Sequence, residues 1–250
     1  MRIFFVSSVI LCIVLSTHSI SLPTGLTTCK RSDADFNKCL SKAIENSLKT
    51  LRDGNKEFGI PVIDPFFIDY SESTTPDGNE NFFLRSSLRN TIITGLTQIK
   101  VLRTATKFNK SFGLKLEGKI DRFSIIGDYT MNGKVLLLAI NGEGKCNVTM
   151  NDVIVVADGR GKYFEKNQNT FVELHSLTIK LKPKHVSYNF ENLFKNNKEL
   201  SRTLNDFMNE QWELVTENLI PGYEENFGRL FMKIANKIFT NVPTNEIFRE

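Results

Sequence analysis

Histidine is scarce in this chain: three in 250 residues, and only His175 and His185 lie beyond the first twenty. Neither stands at ligand spacing with another His or Cys, so no zinc site is expected, since zinc needs a clustered donor set. They read as ordinary surface or half-buried histidines. Metalloprotease H-E-x-x-H and nucleophile-elbow G-x-S-x-G patterns are both missing. The glycine pairs 142/144 and 159/161 do not complete a phosphate-binding fingerprint and read as turn glycines. Glu224-Glu225 reads as solvated charge on a helix face. The sequence therefore points away from an enzyme and calls for no cofactor or metal. Long cationic runs are also lacking. The net charge is only +4, so a nucleic-acid partner is not expected, because neutralising phosphates takes clustered Lys and Arg.

Long apolar runs are confined to the N-terminus. Arg2 precedes the apolar stretch 3–15, and Ser19 and Ser21 are small residues at the −3 and −1 positions of a cleavage site. That is the three-part pattern of a secretory signal over residues 1–21. The stretch is too short to span a bilayer, which takes about 20 apolar residues. Export, an extracellular location and no stable membrane insertion are the expectations. Residues 22–250 form one expected domain, large enough to bury a sizeable core.

Cysteine is equally sparse. Cys12 leaves with the signal. In an oxidising compartment Cys29 and Cys39 are the natural disulfide, and so small a ring stabilises by roughly 3 kcal/mol at most. Cys146 is left as a buried free thiol or an intermolecular link. Two sequons accompany export, Asn147-Val148-Thr149 and Asn109-Lys110-Ser111.

What is present is periodicity. Ser32 and Asp35 look like a capping box. Phe36, Leu40, Ile44, Leu48 and Leu51 then form one helical stripe ended by Gly54. Residues 59–66 carry Pro61 and Pro65 and read as extended. Polar residues 71–81 read as a loop. From about residue 82 to 191 the period becomes two: Leu114/Leu116/Ile120, Cys146/Val148/Met150, Leu177/Ile179/Leu181 and Val186/Tyr188/Phe190 each alternate with polar residues. These are strands with one wet face. Turns are expected at Asn132-Gly133, 141–144 and 158–161, implying an antiparallel meander. Residues 135–140, apolar on both faces, read as a twice-covered strand. A helical pattern then runs from about Lys198 to Thr240, roughly 65 Å if straight. That exceeds the ~45 Å of a compact globule of this size, so a bend is expected at Pro221-Gly222. Phenylalanine is abundant, twenty in all. A long amphipathic helix on a curved sheet tends to leave an elongated apolar gap.

The arm Thr28-Cys29-Lys30-Arg31 with Cys39, the stretch Phe58-Gly59-Ile60-Pro61-Val62-Ile63-Asp64-Pro65-Phe66, Gly127-Asp128-Tyr129-Thr130-Met131-Asn132-Gly133-Lys134 and Asn209-Glu210-Gln211-Trp212 occur in an order and spacing that resemble the insect takeout / haemolymph juvenile hormone-binding protein family. The likeness covers about residues 28–248. It implies an α+β fold, a super-roll: a long C-terminal helix wrapped by a strongly curved antiparallel sheet, a short N-terminal helix and an elongated apolar tunnel. It implies a monomeric extracellular carrier of a hydrophobic small molecule such as juvenile hormone, another terpenoid or a fatty lipid, without catalysis. Family disulfide placement matches Cys29–Cys39, and the unpaired Cys146 aligns the chain with the takeout-like branch, associated with feeding, circadian output and chemosensory tissue. The expected tunnel lining is Leu114, Leu116, Val148 and Ile179 from the sheet, and Phe207, Met208, Val215, Phe227, Phe231 and Ile234 from the helix. The alternative reading is a membrane-surface or lipopolysaccharide-binding defence protein.

Overall fold

The computed structural model describes residues 21–75, 82–135, 137–195 and 197–250. Apart from Ser21, the expected signal lies outside them. The order is β1 (Cys29–Lys30), α1 (Phe36–Thr50), β2 (Phe66–Thr74), β3 (Phe82–Thr94), a 3-10 turn at Leu96–Gln98, β4 (Lys100–Phe108) and β5 (Phe112–Val135). Then come β6 (Leu138–Lys166), β7 (Asn169–Lys182), β8 (His185–Phe190), α2 (Lys198–Glu210), α3 (Trp212–Phe239), α4 (Thr244–Ile247) and β9 (Phe248–Arg249).

The sheet is built on one long hairpin. β5 and β6 pair from Val135↔Leu138 to Phe112↔Gly161. Each is long enough to hold two further strands in sequence. Along β5, β3 covers the C-terminal part and β4 the N-terminal part. Along β6, β8 pairs residues 146–151 and β7 pairs residues 154–166. β2 closes one side on β3. All of these pairings are antiparallel. Register shifts at Arg89/Ile92, Val101/Arg103 and Arg160/Gly161 add local twist, as bulges do, and help the sheet curl around α3. β1 and β9 form a separate parallel pair that ties the N-terminal arm to the C-terminus.

The glycine turns expected at 132–133, 141–144 and 158–161 all lie inside strands. Chain reversal falls between Val135 and Leu138 instead. Residues 135–140 are therefore not a twice-covered strand; the hairpin reverses within them, and Leu137 is 90% exposed. An unbroken apolar run concealed the reversal. Gly133 serves a different need: at φ +146° its α-carbon lies so close to the Phe83 carbonyl that a Cβ would sit 2.0 Å from that oxygen. Gly142 lies beneath the backbone of Leu193 for a similar reason. Residues 71–74, expected in a loop, belong to β2.

Helix α1 buries Phe36 and Leu40, the start of the expected stripe. It begins at Asp35 rather than through a Ser32 capping box; Asp33 Oδ1 accepts the Asp35 N–H at 2.9 Å, so that turn is satisfied from outside the helix. The C-terminal helical pattern is interrupted at Gln211, not at Pro221, which lies within α3. The carbonyl that Pro221 leaves without a partner belongs to Glu217, an exposed residue, so water can replace the missing donor. The break at Gln211 lets α2 follow β8 while α3 follows β7.

Both helices close open sheet edges. On α2, Asn205 bonds the N–H and carbonyl of Phe190 at 2.9 and 2.8 Å, and Asn209 does the same for Tyr188 at 2.9 and 2.7 Å. On α3, Asn236 holds Leu174 of β7, and Asn226 donates to the Glu72 carbonyl of β2. Unpaired strand groups would otherwise need water or another chain. Among the described residues two apolar clusters fill the interior. The larger lies between the sheet and the helices. The smaller gathers Phe36, Phe108, Phe112, Phe239 and Phe248 beside the disulfide end of α1.

Candidate functional site: an apolar cavity

The concave side of the sheet does not close fully on α3. A cavity of about 290 Å³ remains between α1, the turn at Leu96–Gln98, strands β5, β6 and β7, and α3. Every lining side chain is apolar. From the helices come Ile44 and Leu48 of α1 and Phe227, Phe231, Ile234 and Ala235 of α3. The sheet contributes Leu116, Ile120 and Phe123, then Val153, Val155 and Ala157, then Leu177, Ile179 and Leu181. Such a space offers a guest dispersion contacts and relief from water but no hydrogen bond. An aromatic run frames one wall, with Phe123 edge-on to Phe227 at 5.8 Å and Phe227 beside Phe231 at 6.1 Å.

Of the residues expected to line a tunnel, Leu116, Ile179, Phe227, Phe231 and Ile234 meet around this space. Leu114 packs against the aromatic cluster at the disulfide end. Val148, Met208 and Val215 are fully buried in the main core, and Phe207 packs on it; none of these belongs to the cavity wall. The helical stripe is responsible for the difference. It runs through α2 and the first turns of α3, where the helices sit directly on β8, and reaches open space further along α3. The sequence signal for Ile44 and Leu48 was visible as the α1 stripe, but nothing in it says that α1 lies over the cavity mouth.

Three carboxylates hold that wall in place, and sequence reasoning found none of them. Asp64 is buried, and its carboxylate accepts from the backbone N–H groups of Gly95 and Thr97 at 3.2 and 3.1 Å and from the Thr97 hydroxyl at 2.7 Å. This fixes Ile63, Leu96 and Ile99 against the cavity. Glu45 of α1 accepts the Val101 N–H at 2.6 Å. Glu224, read from the sequence as solvated, is buried; it accepts the Leu181 N–H at 2.8 Å and Lys180 Nζ at 2.6 Å. Its neighbour Glu225 is exposed and pairs with Arg229. The carboxylate at 224 turns inward because the free edge of β7 presents a donor with no strand to receive it.

Cys29 and Cys39 form the disulfide. Cys146 is a free, buried thiol. Burial pushes this thiol up to about 11. His175 and His185 are both exposed. Among the described residues no group of His, Cys, Asp or Glu could hold a metal ion, and no helix is long and apolar enough to cross a membrane. Asn109 stands at the exposed tip of the β4–β5 hairpin, and Asn147 is exposed on the outer face of β6.

A curved antiparallel sheet rolled around a long helix, with an apolar space between them, defines an α+β super-roll. The chain belongs to the haemolymph juvenile hormone binding protein family, whose model matches residues 8–249. It is similar to the circadian clock-controlled protein daywake of Drosophila melanogaster, 21% identical over 233 residues, covering 91% of this chain and 88% of that one. The protein of the same name from Drosophila yakuba is 20% identical over 232 residues, with the same shares covered. The fold is that of Takeout 1 from Epiphyas postvittana, with a TM-score of 0.78 at 22% identity, covering 89% of this chain and 99% of that one.

Proposed function

We propose that this protein is an exported, monomeric carrier that holds one hydrophobic small molecule in the cavity between α3 and the sheet. The observation that carries this reading is the wall itself: a partly open space of about 290 Å³ with no polar side chain on it among the described residues. An interior void of this kind is not needed for folding and weakens the core that surrounds it. It is put to use if a guest fills it. Binding would be driven by desolvation at about 25 cal/mol per Å² of apolar surface, less the cost of ordering the guest. The absence of charge on the wall favours a largely hydrocarbon ligand, a terpenoid such as juvenile hormone or a fatty lipid. Family membership supports the carrier role. The names of the Drosophila relatives support a place in circadian output, alongside feeding or chemosensory signalling. Catalysis has no role in this reading. Native mass spectrometry of the protein from its own tissue, followed by solvent extraction, tests it. An apolar guest released on extraction, and uptake of a fatty acid or terpenoid on titration, is the expected result. No guest and no uptake would overturn the reading.

A second reading, docking to lipid or lipopolysaccharide surfaces, rests on the exposed Leu137 at the β5–β6 tip. Co-sedimentation with anionic vesicles that Leu137→Asp abolishes would support it.

A further inference from the structure

The outer face of the sheet carries an apolar row that nothing among the described residues covers. Phe67 on β2 pairs with Ile92 on β3, and Ile92 pairs with Ile126 on β5. All three point outward and are 58%, 36% and 45% exposed. Their partners one residue along, Phe66, Ile93 and Ile125, are buried, so the register is fixed and the row cannot slip inward. A contiguous apolar row on a sheet face, reaching edge strand β2, is a surface that soluble proteins generally cover or break with charge.

The same row continues into a modification signal. Ile126 pairs with Asn147 on β6, and Asn147 pairs with Asn189 on β8. Asn147 opens the sequon Asn147-Val148-Thr149. With neighbouring strands about 4.8 Å apart, Asn147 lies about 5 Å from Ile126 and about 14 Å from Phe67, measured between strands. Its side chain is exposed. Oδ1 accepts the Thr149 hydroxyl at 3.2 Å, whereas Nδ2, the atom a glycan would occupy, has no hydrogen-bond partner among the described residues. A sugar on Nδ2 therefore leaves this contact intact.

We infer that Asn147 carries an N-linked glycan whose core lies along the Ile126–Ile92–Phe67 row and covers it. The inference rests on the export reading. In the secretory lumen the Asn147 amide nitrogen displaces a lipid-linked pyrophosphate at C1 of the oligosaccharide; an N–C1 bond forms, the C1–O bond breaks and the amide loses one proton. Pyranose rings have apolar C–H faces as well as hydroxyl rims. Such a ring can rest its C–H face on isoleucine and phenylalanine and present its hydroxyls to water. The glycan thereby shields apolar surface without a protein partner.

The test is expression of the full chain in insect cells and recovery from the medium. Peptides are treated with peptide N-glycosidase in heavy-oxygen water, and Asn147→Asp conversion is read by mass. Conversion at Asn147 is expected. Asn147→Gln, and separately Thr149→Val, which removes the sequon while keeping Asn147, should lower the mass by one glycan. Each should also lengthen retention on a hydrophobic-interaction column or produce self-association. Adding Phe67→Ser, Ile92→Thr and Ile126→Thr to either variant should reverse that change. Secreted protein bare at Asn147, with Asn109 as internal reference, overturns the inference. So does a glycan at Asn147 whose loss leaves retention and association unchanged. Absence from the medium overturns export, and the glycan with it.

Discussion

The side-chain amide of Asn236 on α3 takes the place of a strand for Leu174 on β7: Nδ2 donates to the Leu174 carbonyl at 2.9 Å, and Oδ1 accepts its N–H at 2.8 Å. Asparagine is the one residue that fits here, because it offers a donor and an acceptor side by side on a short stem. Asn236→Ala is expected to cost about 1–3 kcal/mol by leaving a strand N–H and carbonyl unpaired, read by urea unfolding. Asn236→Asp should also destabilise, because a carboxylate would face the Leu174 carbonyl. An aspartate variant as stable as the parent would refute the two-point bond.

Gly228 is the point where α3 rests on β7. A Cβ there would lie 2.4 Å from the Leu177 carbonyl oxygen, and a backbone atom cannot turn aside. Helix propensity alone would make alanine better than glycine by about 1 kcal/mol. Gly228→Ala should nonetheless destabilise, while Gly222→Ala, whose nearest obstacle is the rotatable Ser73 hydroxyl, should be far milder. Thermal unfolding of the two variants side by side checks the order.

Glu224 closes the same edge with a carboxylate. Glu224→Ala should cost about 1–3 kcal/mol, because the Leu181 N–H loses its acceptor in a buried setting. Glu224→Gln retains an acceptor oxygen and should cost less, since the ion pair it gives up involves Lys180, which is 56% exposed. Equal losses would show that the charge, not the hydrogen bond, matters.

Cys146 titrates at about 11 when folded, against an ordinary 9, because burial disfavours the thiolate. The folded chain therefore holds this proton more tightly than the unfolded chain. The associated stability is complete below pH 9 and is lost as pH rises through 9 to 11. Burial also raises Tyr188, to about 12, which extends the loss upward. Cys146→Ala should lessen the loss of stability between pH 9 and 11, measured by denaturant midpoints. Alkylation of native protein at pH 8 should be slow and should speed up on unfolding.

Ala157 lines the cavity wall on β6. Ala157→Phe should fill much of the space, at about 1–3 kcal/mol of overpacking strain, and should abolish uptake of a fifteen- or sixteen-carbon probe. Retained uptake in a folded variant would place the guest elsewhere.

Much of this architecture was legible in sequence because it depends on local spacing. The period-two alternation of Leu177/Ile179/Leu181 assigns a strand and its inner face, and the stripe from Phe36 to Leu48 assigns α1. The turns were misread because glycine has two uses. Gly142 and Gly161 admit a neighbouring backbone within a strand, and a sequence shows the residue without showing its neighbour. The cavity was half-legible for a related reason. Periodicity says that Val148 and Ile179 both face inward, but not that helix backs the first and void backs the second.

The sequence by itself determined the α1 stripe, the buried face of strands such as Leu177–Leu181, the sequons, and the pair of cysteines close enough to join, because each follows from the properties of nearby residues. Tertiary structure alone decided which edges the asparagines of α2 and α3 close, that Glu224 turns inward, that Cys146 is sealed away, and where the sheet fails to meet α3. Those outcomes depend on contacts between residues tens of positions apart, such as Leu174 with Asn236, whose approach is set by the curvature of the whole sheet.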